Sequence, residues 1–137
     1  MLVVDASALV PAIADGTEVG RQRRRRLGGE RVNAPDLILV ESASVIRRQS
    51  FAGMIDEAQA EQAIEDLLAL PIIIHPTARL LHRAWELRSN VTPYDACYIA
   101  LAEVLDCPLL TGDARLARAP GSACEIELVR SIASRGP

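Results

Sequence analysis

An α/β fold, a short central parallel sheet covered by helices on both faces, is predicted by two features of the chain. Short apolar runs recur along it: Leu2-Val3-Val4, Ile72-Ile73-Ile74 and Leu109-Leu110. Each is too short for a helix and apolar throughout, as a strand buried on both faces is. Between them lie longer segments whose apolar residues recur at helical spacing. Such alternation builds a three-layer domain around a sheet of four to five parallel strands. The chain has 137 residues, half of them hydrophobic, which is enough for one domain over 1–137 with a real core.

The elements follow in order. Leu2 to Val4 is the first strand, ended by Asp5-Ala6-Ser7. Ala6 to Ala14 reads as a helix that tolerates Pro11 if the proline lies in its first turn. Thr17 is placed to cap a second helix, Glu18 to Leu27, which Gly28-Gly29 stops. Arg31 to Ala34 reads as a short strand. Pro35-Asp36 starts a helix from Leu37 to Gln49 that carries Glu41, and Gly53 marks its stop. Asp56 to Leu70 is strongly amphipathic, with Ala60, Ala63, Ile64, Leu67 and Leu68 on one side. Ile72 to Ile74 is a second buried strand, and Thr77 to Ser89 another amphipathic helix. Thr92-Pro93-Tyr94-Asp95 has the cap, the first-position proline and the early acid of a helix start, here running to Leu105. Pro108 to Leu110 is a third buried strand, ending in Thr111-Gly112-Asp113. A short helix, Ala114 to Ala119, and a last strand, Ile126 to Val129, follow, and Ser131 to Pro137 is read as a loose tail.

Composition excludes several functions. The net charge is −3, which argues against a general nucleic-acid coat protein. All fifteen basic residues are arginines. Arg21 and Arg23 to Arg26 crowd one helix, as a solvated face or as a patch that meets phosphate. Cys97, Cys107 and Cys124 form no close pair in sequence, which fits a reducing cytosol and neither a disulfide framework nor a zinc site. His75 and His82 are too few for most histidine metal sites. No apolar run approaches a membrane span, and Asp5 interrupts the first one, so a cytoplasmic protein without a signal peptide is expected.

The chemistry is carried by acids. Asp5 and Asp113 each follow an apolar strand, and Asp95 starts a helix that leads into the same sheet. Each has an ordinary structural reading as a helix cap or first-turn acid, and Glu41 as a surface helix residue. Together Asp5, Asp95 and Asp113 gather at the edge where open α/β sheets bind ligands. Two carboxylates about 5 Å apart repel by roughly 3 kcal/mol at an effective dielectric near 20. A divalent metal is the natural compensation, since Mg²⁺ or Mn²⁺ prefers carboxylate oxygen and water. Such an ion can activate water against a phosphodiester. Ser7 and Thr111, two residues from Asp5 and Asp113, can orient a carboxylate, a water or a phosphate oxygen, or simply make local turns.

Four motifs carry a resemblance: Val3-Val4-Asp5-Ala6-Ser7, Glu41 in the helix after Pro35, Pro93-Tyr94-Asp95-Ala96-Cys97-Tyr98-Ile99-Ala100-Leu101-Ala102, and Leu109-Leu110-Thr111-Gly112-Asp113-Ala114-Arg115-Leu116. In this order and spacing they resemble the PIN-domain ribonucleases, most closely the VapC-type toxins of bacterial toxin–antitoxin pairs, over essentially the whole chain. The resemblance implies a PIN-like fold and a Mg²⁺-dependent endoribonuclease, with Mn²⁺ as a substitute. It makes Asp5 and Asp95 the metal ligands, and Glu41 and Asp113 ligands directly or through water. It implies RNA as substrate, a homodimer, and a VapB-like antitoxin that joins it in a heterotetramer or larger assembly and whose C-terminal segment lies along the groove. An acidic pocket repels a polyanion, so arginines on its rim must hold the flanking phosphates. Arg23, Arg24, Arg25, Arg26, Arg47, Arg48 and Arg115 are the candidates.

Rival readings are weaker. Haloacid-dehalogenase-like phosphatases and receiver domains also place an aspartate after strand one, but both pair phosphate with lysine, which this chain lacks. A PIN-like module that binds RNA or a partner without cutting would be marked by a broken acidic set, and the set here is intact.

Overall fold

A computed structural model describes residues 1–129, so the expected tail at 131–137 lies outside the described residues. Among the described residues five parallel strands form one sheet in the order β3-β2-β1-β4-β5. They are β1 (Leu2–Val4), β2 (Val32–Pro35), β3 (Ile73–His75), β4 (Leu109–Thr111) and β5 (Ile126–Leu128). Central β1 pairs Val3 with Asn33 on one side and with Leu109 on the other. All three residues of β1 and of β4 are buried, as apolar strands covered on both faces must be.

The described α-helices that cover the sheet are α1 (Ala6–Ala14), α2 (Glu18–Leu27), α3 (Leu37–Phe51), α4 (Glu57–Ala69), α5 (Leu81–Glu86), α6 (Pro93–Leu105) and α7 (Ala114–Ala117). Helix α1 packs against α2, α3 and α4, while α5 packs on α6 and α6 lies against β1 and β2. Residues Ala96 to Ala102 of α6 are all buried. The alanines at 96, 100 and 102 let this helix approach the sheet closely, and Tyr98, Ile99 and Leu101 fill the space between.

Several sequence expectations are corrected. Pro11 is not in the first turn of α1, because the helix starts at Ala6 with Asp5 as its N-cap. The proline is its sixth residue and leaves the Ser7 carbonyl without the usual helical donor. That carbonyl lies against Gly112, where an added Cβ would approach it to 3.1 Å. Thr17 holds the N-cap position of α2 but does not cap it; its hydroxyl goes to the Asp15 carboxylate. The Ile72 to Ile74 run is not a buried strand. β3 starts at Ile73 and is an edge strand, so Ile73 and Ile74 are exposed. Leu68 is also exposed; α4 buries only Ala63 and Leu67, behind a capping box made by Asp56 and Gln59. The segment from Thr77 is a 3₁₀ turn to Leu80, then the two-turn α5. Leu81 and Trp85 stand in solvent. The last helix stops at Ala117, two residues early.

Candidate functional site

The chain runs from β1 outward to β2 and β3, then returns to place β4 on the other side of β1. The ends of β1 and β4 therefore flank the point where strand order reverses, and the loops that leave them part to open a crevice. Asp5 leaves β1, and Thr111 ends β4 with Asp113 two residues on. Asp95, in the first turn of α6, and Glu41, in the second turn of α3, face the same place. These four carboxylates line one cavity of about 310 Å³ with Ser7, Ser44, Arg48 and Tyr98. An adjoining hollow of about 250 Å³ shares Asp95 and Asp113 and adds Arg115. A larger cavity, about 660 Å³, is apolar, lies between α1, α2 and the end of α4, and contains none of the four acids.

Asp5 is held by the chain around it. One carboxylate oxygen accepts from Ser7 Oγ at 2.6 Å and from the Ala8 amide at 3.0 Å. The other accepts from Thr111 Oγ1 at 2.5 Å. Ser7 Oγ in turn accepts from the Gly112 amide at 2.8 Å, and Thr111 Oγ1 accepts from the Asp113 amide at 3.0 Å. The two hydroxyls thus tie the end of β1 to the end of β4 through the carboxylate. Gly112 permits it: any larger residue would place a Cβ 3.2 Å from Ser7 Oγ.

The acids raise one another's proton affinity. Burial pushes the Asp5 carboxyl above its ordinary value, against the bonds from Ser7, Thr111 and Ala8, and Asp113 adds to the rise. Asp95 is raised by burial and then by the charges of Asp5 and Asp113. Glu41 is raised by burial and by Asp95 and Asp5. A site where several carboxylates each disfavour the others' ionisation is one that a cation stabilises.

Tyr98, buried on α6 one turn after Asp95, donates to Glu41 Oε1 at 2.7 Å. Sequence reasoning missed it as a site residue. Its signal was available: a fully buried tyrosine needs a partner for its hydroxyl. Burial and Glu41 hold the phenol far above its ordinary pKa, so it stays a donor. It fixes one Glu41 oxygen and leaves the other free.

The candidate arginines divide. Arg48 lines the acidic cavity. Arg115 is exposed, with Nε 3.8 Å from Asp113, so one acid does have a cationic neighbour where the sequence pattern set metal ahead of salt bridges. Arg47 stacks on exposed Phe51. On α2, Arg25 pairs with Glu18, Arg24 binds the carbonyls of Ala12 and Asp15, and Arg26 forms a two-pronged pair with Glu127. Arg23 is not on a solvated face at all. It is 3 % exposed, and one guanidinium nitrogen has no hydrogen-bond partner among the described residues. Burial lowers its pKa, opposed by the charges of Asp5 and Asp15.

Among the described residues no three histidine, cysteine, aspartate or glutamate side chains converge tightly enough to cage an ion. An ion that keeps several of its own waters needs no closed cage, and the donors here are the hard oxygens Mg²⁺ and Mn²⁺ take.

Comparison with known proteins places the chain. The PIN domain pattern matches residues 2–122. Ribonuclease VapC1 of Mycobacterium tuberculosis is 47% identical over 132 residues, covering 93% of this chain and 97% of the relative. Ribonuclease VapC12 of the same organism is 40% identical over 94% of this chain and 99% of its own length. Among solved structures, M. tuberculosis VapC20, described as a sarcin-ricin loop cleaving toxin, superposes with TM-score 0.67 at 17% identity over 85% of this chain and 93% of its own. VapBC2 from Rickettsia felis, bound to a DNA fragment from its promoter, superposes with TM-score 0.66 at 15% identity over 93% of this chain and 97% of that one. No helix among the described residues is long and apolar enough to cross a membrane.

Proposed function

This chain belongs to the PIN-domain family, and from that premise we propose that it is a cytoplasmic VapC-type toxin, a single-domain endoribonuclease silenced by a VapB-like antitoxin. The observation that supports catalysis is the meeting of Asp5, Glu41, Asp95 and Asp113 in one cavity at the reversal of strand order. RNA as the substrate rests on the ribonucleases it resembles. The homodimer and the larger complex with antitoxin rest on the same kinship.

Asp5 and Asp95 would hold a Mg²⁺ or Mn²⁺ ion, with Glu41 and Asp113 directly or through water. When bound, such an ion supplies an acidified water and neutralises charge on the phosphate. The residues of the chain supply position. Ser7 and Thr111 fix both oxygens of Asp5, so it cannot rotate away from the cavity. Tyr98 fixes Glu41 through Oε1 and leaves Oε2 to take the proton of an attacking water. Arg48 beside the cavity and Arg115 beside Asp113 hold the flanking phosphates of the strand.

The test is cleavage of a structured RNA pool by antitoxin-free protein with Mg²⁺, with Mn²⁺ and with EDTA. Cuts that appear with metal and vanish with chelator are expected. RNA bound but uncut under all three conditions would replace the enzyme with a binding module.

The arginine division makes a second prediction. Arg48→Gln with Arg115→Gln should weaken RNA binding by about tenfold and reduce the salt slope by roughly two. Arg24→Gln with Arg25→Gln should leave that slope unchanged, since both side chains are engaged within the chain. Measuring binding to a catalytically inactive variant against salt concentration checks both, and equal slopes for the two pairs would remove the assignment.

A further inference from the structure

We infer that Cys107 and Cys124 form a modification site, a dithiol that an oxidant of the peroxide class converts to an intramolecular disulfide pinning β5 to β4. In sequence the two are seventeen positions apart and look unrelated. The sheet brings them level. Leu109 pairs with Ile126, and Cys107 and Cys124 are the residues two before each, just outside the strand entrances. The chains are already side by side there, because the Leu109 amide donates to the Glu125 carbonyl at 2.9 Å. Both thiols also pack into the same apolar cluster and line the same hollow of about 200 Å³.

Neighbouring strands lie about 4.8 Å apart, inside the roughly 4.4–6.8 Å Cα separation that disulfides span. Burial raises the pKa of both thiols, and at Cys107 the neighbouring Cys124 adds to that rise. All three cysteines are free thiols in this structure. Cys97 is buried in α6, does not line that hollow, and serves as an internal standard.

The chemistry balances with one peroxide. Cys124, the more exposed of the two, attacks a peroxide oxygen as thiolate and becomes a sulfenic acid, releasing one water from hydrogen peroxide. Cys107 then displaces the hydroxyl from that sulfur, forming the S–S bond and releasing the second water. Two thiols are oxidised and one peroxide is reduced. The product closes the loop between β4 and β5, a strand that among the described residues pairs only with β4.

The experiment oxidises native protein with hydrogen peroxide, quenches it, and counts thiols after unfolding. The count should fall from three to one, with the mass lower by two hydrogens and a non-reduced digest joining the peptides of Cys107 and Cys124. Amide exchange of Ile126 to Leu128 should slow by about tenfold and recover with reductant. Cys124→Ser should keep two thiols, form no intramolecular link and show no change in exchange. Three thiols remaining, oxidation of single cysteines to higher acids without a link, a linked dimer of chains, or a disulfide that leaves β5 exchange unchanged would each overturn the proposal.

Discussion

Asp95→Asn will lower RNA cleavage by at least about a thousandfold, which is about 4 kcal/mol of transition-state stabilisation, while leaving the metal-free protein at least as stable as the parent. The two halves of this expectation have one cause. Asp95 is half-buried, and Asp5 and Asp113 add to the rise in its proton affinity. An amide of the same shape removes that repulsion and removes the charge a cation needs. The gain is small, because solvent screens the repulsion and the carboxylate also favours the N-terminal turn of α6, a benefit that is lost with it. The cap itself survives, since Thr92 Oγ1 accepts from the backbone amide of residue 95.

Asp5→Asn should be equally inactive but should not be stabilised. The amide must donate to Thr111 Oγ1, which now donates to it, so that hydroxyl must turn toward Ser7 Oγ, a longer contact at 3.3 Å. Melting curves without metal beside single-turnover cleavage separate the two variants. Either one retaining more than about a tenth of parental cleavage would dismiss the acidic site.

Much of this site is legible in the sequence alone, for a physical reason. Asp5 and Asp113 lie just beyond strands that are apolar throughout, and strand ends in a parallel sheet share an edge. Asp95 is legible because Thr92-Pro93 fixes where its helix begins. Glu41 is different. Its helix pattern leaves it at the border of the buried face, and only the family resemblance draws it to the other three. What escapes sequence reasoning is non-local. Ile72 to Ile74 has the composition of a central strand, and its place at the edge depends on strand order. The arginines of α2 look alike in sequence, yet Gly20 and Arg23, three apart, face inward. The buried cation of α2 is thereby one of a run that reads as a solvated surface. Cys107 and Cys124 are the same case, brought to one hollow by the pairing of β4 with β5.

Divalent metal will raise the melting temperature at pH 7 and not at pH 4, and chelation will reverse the effect. Asp5, Glu41 and Asp95 all have carboxyls raised above their ordinary values. An acid whose folded pKa lies above its unfolded one adds stability that is fully present below the unfolded value, about 4, and lost as pH rises through the folded one. Metal-free protein should therefore lose the contribution of these three groups as pH climbs from 4 toward 7. The lowered carboxylates Glu18, Glu30 and Glu127 work in the opposite sense, but solvent reaches all three and screens them, so they blunt the trend. A cation binds only the ionised set. At a hundredfold excess over Kd it adds about 2.7 kcal/mol where that set is charged, and nothing where protons already occupy it. In Asp95→Asn the shift at pH 7 should largely disappear, because one of the two carboxylates proposed to hold the ion is gone. A metal-induced shift of equal size at pH 4, or one undiminished in that variant, would locate the bound ion on other carboxylates of the chain and detach the metal from the cavity at the ends of β1 and β4.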